Sequence, residues 1–369
     1  MVVGGLGALV AAGLDPSATQ AAAGQDWPPF VLVTGLLLVG MVAREEGLFD
    51  RAGTFVARVG RSGMALLGAT ALLVAVVTVT LNLDTAVTFL TPVVLAASRH
   101  LRRDPEPFLY LVVAMANGAS LLLPGSNLTN LIVLLDTHHL GASFVARVGT
   151  AWLASSVTVV VVVALVHHRR ISEIRTGLDD WRVPTASAPL PAVIAIVISV
   201  VAMLALPADV AAPGVAAVGV ALAWPRGAGG KAKASRRIGQ LNAPLLIGLL
   251  GAACALGALG RAWSGPSHLL AHAGTWQTAG IGAAAAAVVN NLPAASLLAA
   301  RPIAHASALL VGLNLGPNLV VSGSLAGVLW LQSARAAGWR PSLRRFSLLG
   351  LVMVPVTMAA ALGALSSAH

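Results

Sequence analysis

Residues 63–98 read GMALLGATALLVAVVTVTLNLDTAVTFLTPVVLAAS, and Asp84 is the only charged side chain among them. About 20 apolar residues in a helix cross a bilayer, so this run is long enough for nearly two passages. Lipid satisfies no backbone N–H or C=O, so such a chain must be helical. Yet the run is broken at 82–85, NLDT. Broken backbone at membrane depth survives only where protein buries it or where it lines a watery cavity. The chain is therefore bound to an all-α, polytopic membrane fold with polar breaks in its interior.

The rest of the sequence agrees. Apolar residues make up 57% of the 369 and charged residues 10%, against about 25% charged in soluble domains. The net charge of +10 sits in short loops between apolar runs. That is positive-inside patterning, and it excludes a nucleic-acid surface. The single cysteine, Cys254, excludes an internal disulfide or a thiolate metal cluster and reads as small-residue packing. GAGGKAKAS at 227–235 lacks the order of a phosphate loop, and neither HExxH nor CxxC occurs. Pairs of His at 138–139 and 167–168 lie at loop edges. These signs point to no enzyme, no cofactor and no chelated metal. Residues 1–14 are apolar but lack the basic start of a cleavable signal.

Three further breaks match the first. Residues 116–131, ANGASLLLPGSNLTNL, crowd Ser126, Asn127, Thr129 and Asn130 beside Pro124 and Gly125. Pro and Gly interrupt a helix, and Ser, Asn and Thr favour the start of the next. Residues 314–327, NLGPNLVVSGSLAG, are a weaker copy: Asn117 falls on Asn314 and Leu128 on Leu325. Each copy follows another polar break, NLDT at 82–85 and NNLP at 290–293. Broken helices in paired halves are where secondary transporters hold solute.

Taken in order, the chain divides into a segment 1–26 whose residues 15–26 read as a polar loop, a first repeat 27–166 beginning with a helix at Trp27, a linker 167–191 and a second repeat 192–369. Residues 108–135 read as a re-entrant hairpin or broken helix, and 305–331 as a second hairpin. Five basic residues and no acid between 226 and 237 place that loop in the cytoplasm, and counting spans places the linker there too. Arg301 then falls inside, residues 136–142 outside and the two repeats are inverted. The loop carrying Arg99, Arg102 and Arg103 falls outside, against the charge rule.

Asp84 is the sharpest residue. Carboxylates within spans are costly and usually face a cavity or partner, which makes Asp84 a candidate carrier of a proton or cation; the alternative is a helix cap. Asn82, Thr85, Thr88, Asn290 and Asn291 offer neutral donors and acceptors at the same two breaks, although Thr88 can bond its own helix. Asn117, Ser126, Asn127, Thr129, Asn314, Asn318, Ser322 and Ser324 lie at or beside the other two breaks. Helix N-termini there attract anions and hydroxyl-bearing solutes, with mutual capping as the alternative.

These motifs resemble the arsenite-efflux permease family of the ion-transporter superfamily. The resemblance rests on LNLDTAVTFLTPVVLA (81–96), ANGASLLLPGSNLTNL (116–131), NNLP (290–293) and LGPNLVVSGSLAGVLWLQ (315–332), with EGLF at 46–49 similar to a further family segment. It implies an elevator-type fold of two inverted repeats in the cell membrane. It implies export of arsenite or antimonite against protons, or with a soluble arsenite-stimulated ATPase subunit. Asn318 stands where that family usually has Lys, Val321-Ser322 replaces its Pro-Ile, and the N-terminal region looks shorter by about two helices. Arsenite is mostly neutral As(OH)3 at pH 7, which suits tips without Arg or Lys. A sodium/proton antiporter and a non-transporting membrane scaffold are the competing expectations; retained polar residues at all four breaks speak against the scaffold.

Overall fold

The computed structural model describes residues 2–134, 141–173, 189–224, 239 and 243–367. The loop 226–237, most of residues 136–142 and most of the linker 167–191 lie outside these. Every element among the described residues is helical. Five helices are long and apolar enough to cross a membrane by length and composition.

The chain opens with α1 (Val2–Leu14) and α2 (Pro16–Glu45). The polar loop expected at 15–26 is instead the first part of α2. Asp15 caps it by accepting the Ala18 N–H at 2.9 Å, Pro16 occupies the first turn, and the Ala-rich residues that follow are strong helix formers. Asp26 is thereby carried inside the protein. After α3 (Leu48–Val59) come α4 (Gly63–Thr80) and α5 (Leu83–His100), joined at Leu81 and Asn82. These two form a hairpin whose feet meet. Arg103, just past α5, donates to the carbonyl of Arg61, just before α4, at 3.5 Å.

α6 (Pro105–Ala119) is followed by a 3-10 turn (Pro124–Ser126) and α7 (Leu128–Leu134). The long α8 (Gly141–Val166) leads to the short α9 (His168–Ser172). α10 (Leu190–Ala205) and α11 (Ala208–Ala223) pack on each other and on α2. α12 (Ala243–Ala262) packs on α1 and α2, and α13 (Gly265–Ala271) follows.

A second hairpin comprises α14 (Thr275–Val289) and α15 (Asn291–Leu298). Its feet are linked by the Thr275 hydroxyl and His305 Nδ1, 3.4 Å apart. α16 (Ala306–Leu315) then breaks into two 3-10 turns before α17 (Leu325–Ala336), and α18 (Leu343–Ser366) packs along α8.

The re-entrant hairpins are thus at 63–100 and 275–298, whereas 305–331 lies in a broken helix. The sequence difference is physical. Pro124-Gly125 and Gly316-Pro317 give tight 3-10 turns after which the helix resumes. Asn82 is fully extended and Asn290 has φ +86°, and each reverses the chain.

Two apolar cores result. One gathers α3–α6, α10, α11 and parts of α2, α8 and α18. The other gathers α12, α14–α16, the middle of α2, the start of α8 and the end of α18. Past each break the helix crosses over. Ala326 and Trp330 of α17 belong to the first core, and Leu128, Ile132 and Val133 of α7 to the second. The breaks lie where the cores meet.

Hydrogen bonds also assign the loops to ends. Arg103 donates to the Ser172 carbonyl at 2.8 Å, Glu106 pairs with Arg170 at 2.8 Å and Arg345 at 2.6 Å, and Arg99 reaches the Gly338 carbonyl. The loop of Arg99, Arg102 and Arg103 therefore shares one end with the start of the linker and with residues 335–345, rather than lying opposite. Reading residues 108–135 as a hairpin caused that misplacement; as a broken helix they cross, so the loop before them lies at the linker's end while 63–98 doubles back. At the other end, Gln25 Nε2 donates to the carbonyls of Ile132 and Ala299 at 3.0 and 3.1 Å, and Arg301 donates to the Arg261 carbonyl. Arg301 thus sits with Arg261, opposite the basic end. The first hairpin opens at the basic end and the second at the other.

Candidate functional site

The two broken helices meet through their amides. Asn117, on the last turn of α6, donates from Nδ2 to Asn318 Oδ1 at 2.7 Å. Ser120 and Asn127 both donate to Asn314 Oδ1 at 2.7 Å. Asn314 Nδ2 donates to Asn130 Oδ1 at 2.9 Å, and Asn130 Nδ2 to the Ser120 carbonyl at 2.7 Å. All six side chains are essentially buried. Ser120 and Asn130 join this ladder; the sequence marked Asn130 among the polar residues crowded at the break but not as a binding residue, and did not mark Ser120. Asn130 had a signal, lying three residues after Asn127 and so on the same helix face; Ser120, a lone Ser in an apolar run, had none.

The remaining polar residues divide between local and outward roles. Ser126 bonds local backbone, donating to the Leu123 carbonyl at 2.7 Å, accepting the Leu123 N–H and lying 3.1 Å from the Ser120 carbonyl. Ser324 caps α17 by accepting the Gly327 N–H at 3.1 Å. Asn127 Oδ1 accepts the Thr129 N–H, and Ser322 is exposed, offering its carbonyl to Asn290 Nδ2 at 3.0 Å. Asn291 is buried at the start of α15. Among the described residues, Asn290 is the one non-glycine besides Arg102 at positive φ. Strain of that kind is held in place by its surroundings, here by its bonds to Ser322 and Leu292.

At the first hairpin tip, Asn82 caps α5 by accepting the Thr85 N–H at 2.6 Å. Asp84 therefore does not hold the cap. Its Oδ1 is buried without a partner among the described residues, as are Asn82 Nδ2, Thr85 Oγ1 and Thr88 Oγ1. The amide pair leaves Asn117 Oδ1 and Asn318 Nδ2 unused, and Thr129 Oγ1 is also unpartnered. Buried polar atoms are normally paired, so such a concentration calls for an explanation. α5 packs on both α6 and α17, and α4 on the turn Pro124–Ser126. The helix that starts at the first tip thus packs on both broken helices. No Arg or Lys lies among these residues. No group of three His, Cys, Asp or Glu suited to a metal occurs among the described residues.

The model of the citrate transporter family (CitMHS) matches residues 1–326. The chain belongs to the citrate transporter family. No curated protein matches it. Its fold is similar to that of a solved structure titled "Crystal structure of the Alcanivorax borkumensis YdaH transporter reveals an unusual topology". The TM-score is 0.60 at 15% identity, over 95% of this chain and 87% of that one. At that identity the likeness concerns the fold alone. A multi-pass membrane transporter is therefore what this citrate transporter family member is. The arsenite-efflux branch suggested by the motifs is not the one the matching family model describes.

Proposed function

We propose that this protein is a proton-coupled secondary transporter for a small, oxygen-rich solute of low charge, with arsenite or antimonite hydroxide as the solute tested first. One observation carries the reading. The unpartnered buried atoms of Asn82, Thr85, Thr88, Asn117 and Asn318 are neutral donors and acceptors, and Asp84 is the only charged group with them. A hydroxide that both donates and accepts matches them, while a free carboxylate anion would meet Asp84 without an Arg or Lys to hold it. Asp84, freed of capping by Asn82, takes up a proton from one side and releases it to the other, and solute and proton exchange as the site changes access. The shared basic end is the cytoplasmic one under the positive-inside rule, so the two hairpins enter from opposite faces as inverted repeats.

A second reading is favoured by the family. A citrate-class carboxylate, carried protonated or neutralised by a cation, would use the helix N-termini of α5 and α17 at the same breaks. Proteoliposomes under an imposed pH gradient separate the readings. The first expects accumulation of arsenite or antimonite, the second of citrate with or without divalent metal, and a sodium/proton antiporter would move radiosodium instead. Failure of all three solutes to move would overturn the proposal.

A further inference from the structure

We propose that Asp26 is a second proton-carrying site, serving the second hairpin as Asp84 serves the first; this rests on the proton-coupled reading above. The second tip has Asn290 and Asn291 where the first has Asn82 and Asp84, and neither amide can titrate. A carboxylate nonetheless reaches that hairpin, from another element. Asp26 of α2 is fully buried, and its Oδ1 accepts the Ser296 hydroxyl of α15 at 2.9 Å. Its Oδ2 is buried with no hydrogen-bond partner of ordinary geometry among the described residues. An ionised carboxylate has about four acceptor positions to fill, so one strong donor leaves it poorly served. The free oxygen is where a proton binds.

The other titratable and charged groups acting on Asp26 are the Cys254 thiol and the Arg261 guanidinium, both from α12. The thiol is a weak donor beside the carboxylate. Arg261 is anchored to Gln25 Oε1 at 2.7 Å and to the Gly257 carbonyl at 3.0 Å. Its positive field supports the ionised state without filling Oδ2. A metal ion is a poor fit: hard cations want about six oxygens, this site offers two residues, and a guanidinium stands close.

Ser296 makes the proton consequential. Its hydroxyl faces two acceptors, Asp26 Oδ1 at 2.9 Å and the Leu292 carbonyl of its own helix at 3.4 Å. An ionised Asp26 holds the hydroxyl with a charge-assisted bond. When a proton from water binds Oδ2, the carboxylate becomes neutral, that bond weakens and the hydroxyl falls back on Leu292. The tie from α2 to α15 loosens, just beyond the strained Asn290. Loading a proton at Asp26 thus releases the second hairpin.

The test is infrared spectroscopy of the full-length protein in lipid at stepped pH, reading the carbonyl stretch of protonated carboxyls, alongside protons counted per solute in proteoliposomes. Wild type should show a titrating band that is absent in Asp26→Asn and kept in Asp84→Asn, and Asp26→Asn should move fewer protons per solute. Ser296→Ala, which keeps the carboxyl, should move the pH at which that band disappears. A titrating spectrum identical in wild type and Asp26→Asn, or a band unmoved by Ser296→Ala, would overturn the proposal. If wild type moved solute without protons while the Asp26 band still titrated, the proton-coupled reading would fail and the titrating site would stand.

Discussion

Asn117 Nδ2 lies 2.7 Å from Asn318 Oδ1 and donates to it, joining the end of α6 to the 3-10 turn that follows α16. Each amide spends only half of its capacity on the other, since Asn117 Oδ1 and Asn318 Nδ2 are buried and unused. The pair ties the two broken helices and leaves a donor and an acceptor for the solute proposed above. A net hydrogen bond contributes about 1 kcal/mol, and a group orphaned by removal of its partner costs about 1–3 kcal/mol. Asn117→Ala and Asn318→Ala should each weaken solute affinity several-fold and lower the melting temperature. The double variant should cost less than their sum by about 1 kcal/mol, as expected for contacting residues. Additive losses in a double-mutant cycle would mean the pair does not act as a unit.

Backbone strain at Asn290 makes an ordering testable. At φ +86° an L side chain is disfavoured by roughly 1–2 kcal/mol, whereas glycine is not. Both Asn290→Gly and Asn290→Ala lose the bonds to Ser322 and Leu292. Asn290→Gly should therefore melt above Asn290→Ala, although both should transport poorly. The reverse order in a thermal-shift assay would contradict the strained tip.

Close approach of α18 to the second break predicts a loss without touching any polar residue. A Cβ on Gly350 would collide with the Asn318 carbonyl oxygen, so helix or turn must move. Gly350→Ala should cost about 1–3 kcal/mol, in the range of overpacked cores, and reduce transport. Gly363→Ala, on the same helix with open space around it, is the control and should leave both unchanged.

His167, at the foot of α8, is held below its ordinary pKa by burial, the Glu106 and Asp104 carboxylates opposing only in part. The unfolded chain takes up a proton as pH falls through about 6.5, while the folded protein does not until lower pH. Stability contributed by the neutral ring is therefore present above that value and lost on acidification. His167→Gln should reduce the drop in melting temperature between neutral and mildly acidic pH. An unchanged drop would rule His167 out as its cause.

The all-helical class and the four polar breaks were legible because lipid leaves a chain so few options. Asn, Asp and Pro-Gly steps inside apolar runs have no other use there. Which breaks reverse the chain was not legible. Asn82 and Asn290 look no sharper in sequence than Pro124-Gly125, and only their backbone angles make them hairpin tips. Charge gave a clue, since Arg99, Arg102 and Arg103 break the positive-inside rule if 108–135 is a hairpin and obey it if 108–135 crosses and 63–98 doubles back. Asp26 was hidden for a simpler reason. Beside polar Gln25 and after an Asp-Pro step it reads as loop, and its partner Ser296 lies at the far end of the chain. Ser120 was hidden likewise, since nothing local marks a lone serine whose partner is Asn314.

The central claim is that Asp84 couples a proton to solute moving past neutral amides and hydroxyls. It is tested most directly by solute accumulation in proteoliposomes under an imposed pH gradient, comparing wild type with Asp84→Asn. Asparagine keeps the shape and most hydrogen bonding while removing the charge, and the cap at this tip belongs to Asn82. The account predicts that Asp84→Asn folds, binds solute and still exchanges it downhill, but accumulates far less of it than wild type under the same gradient, any remainder being driven through Asp26. Accumulation by Asp84→Asn equal to wild type would contradict it.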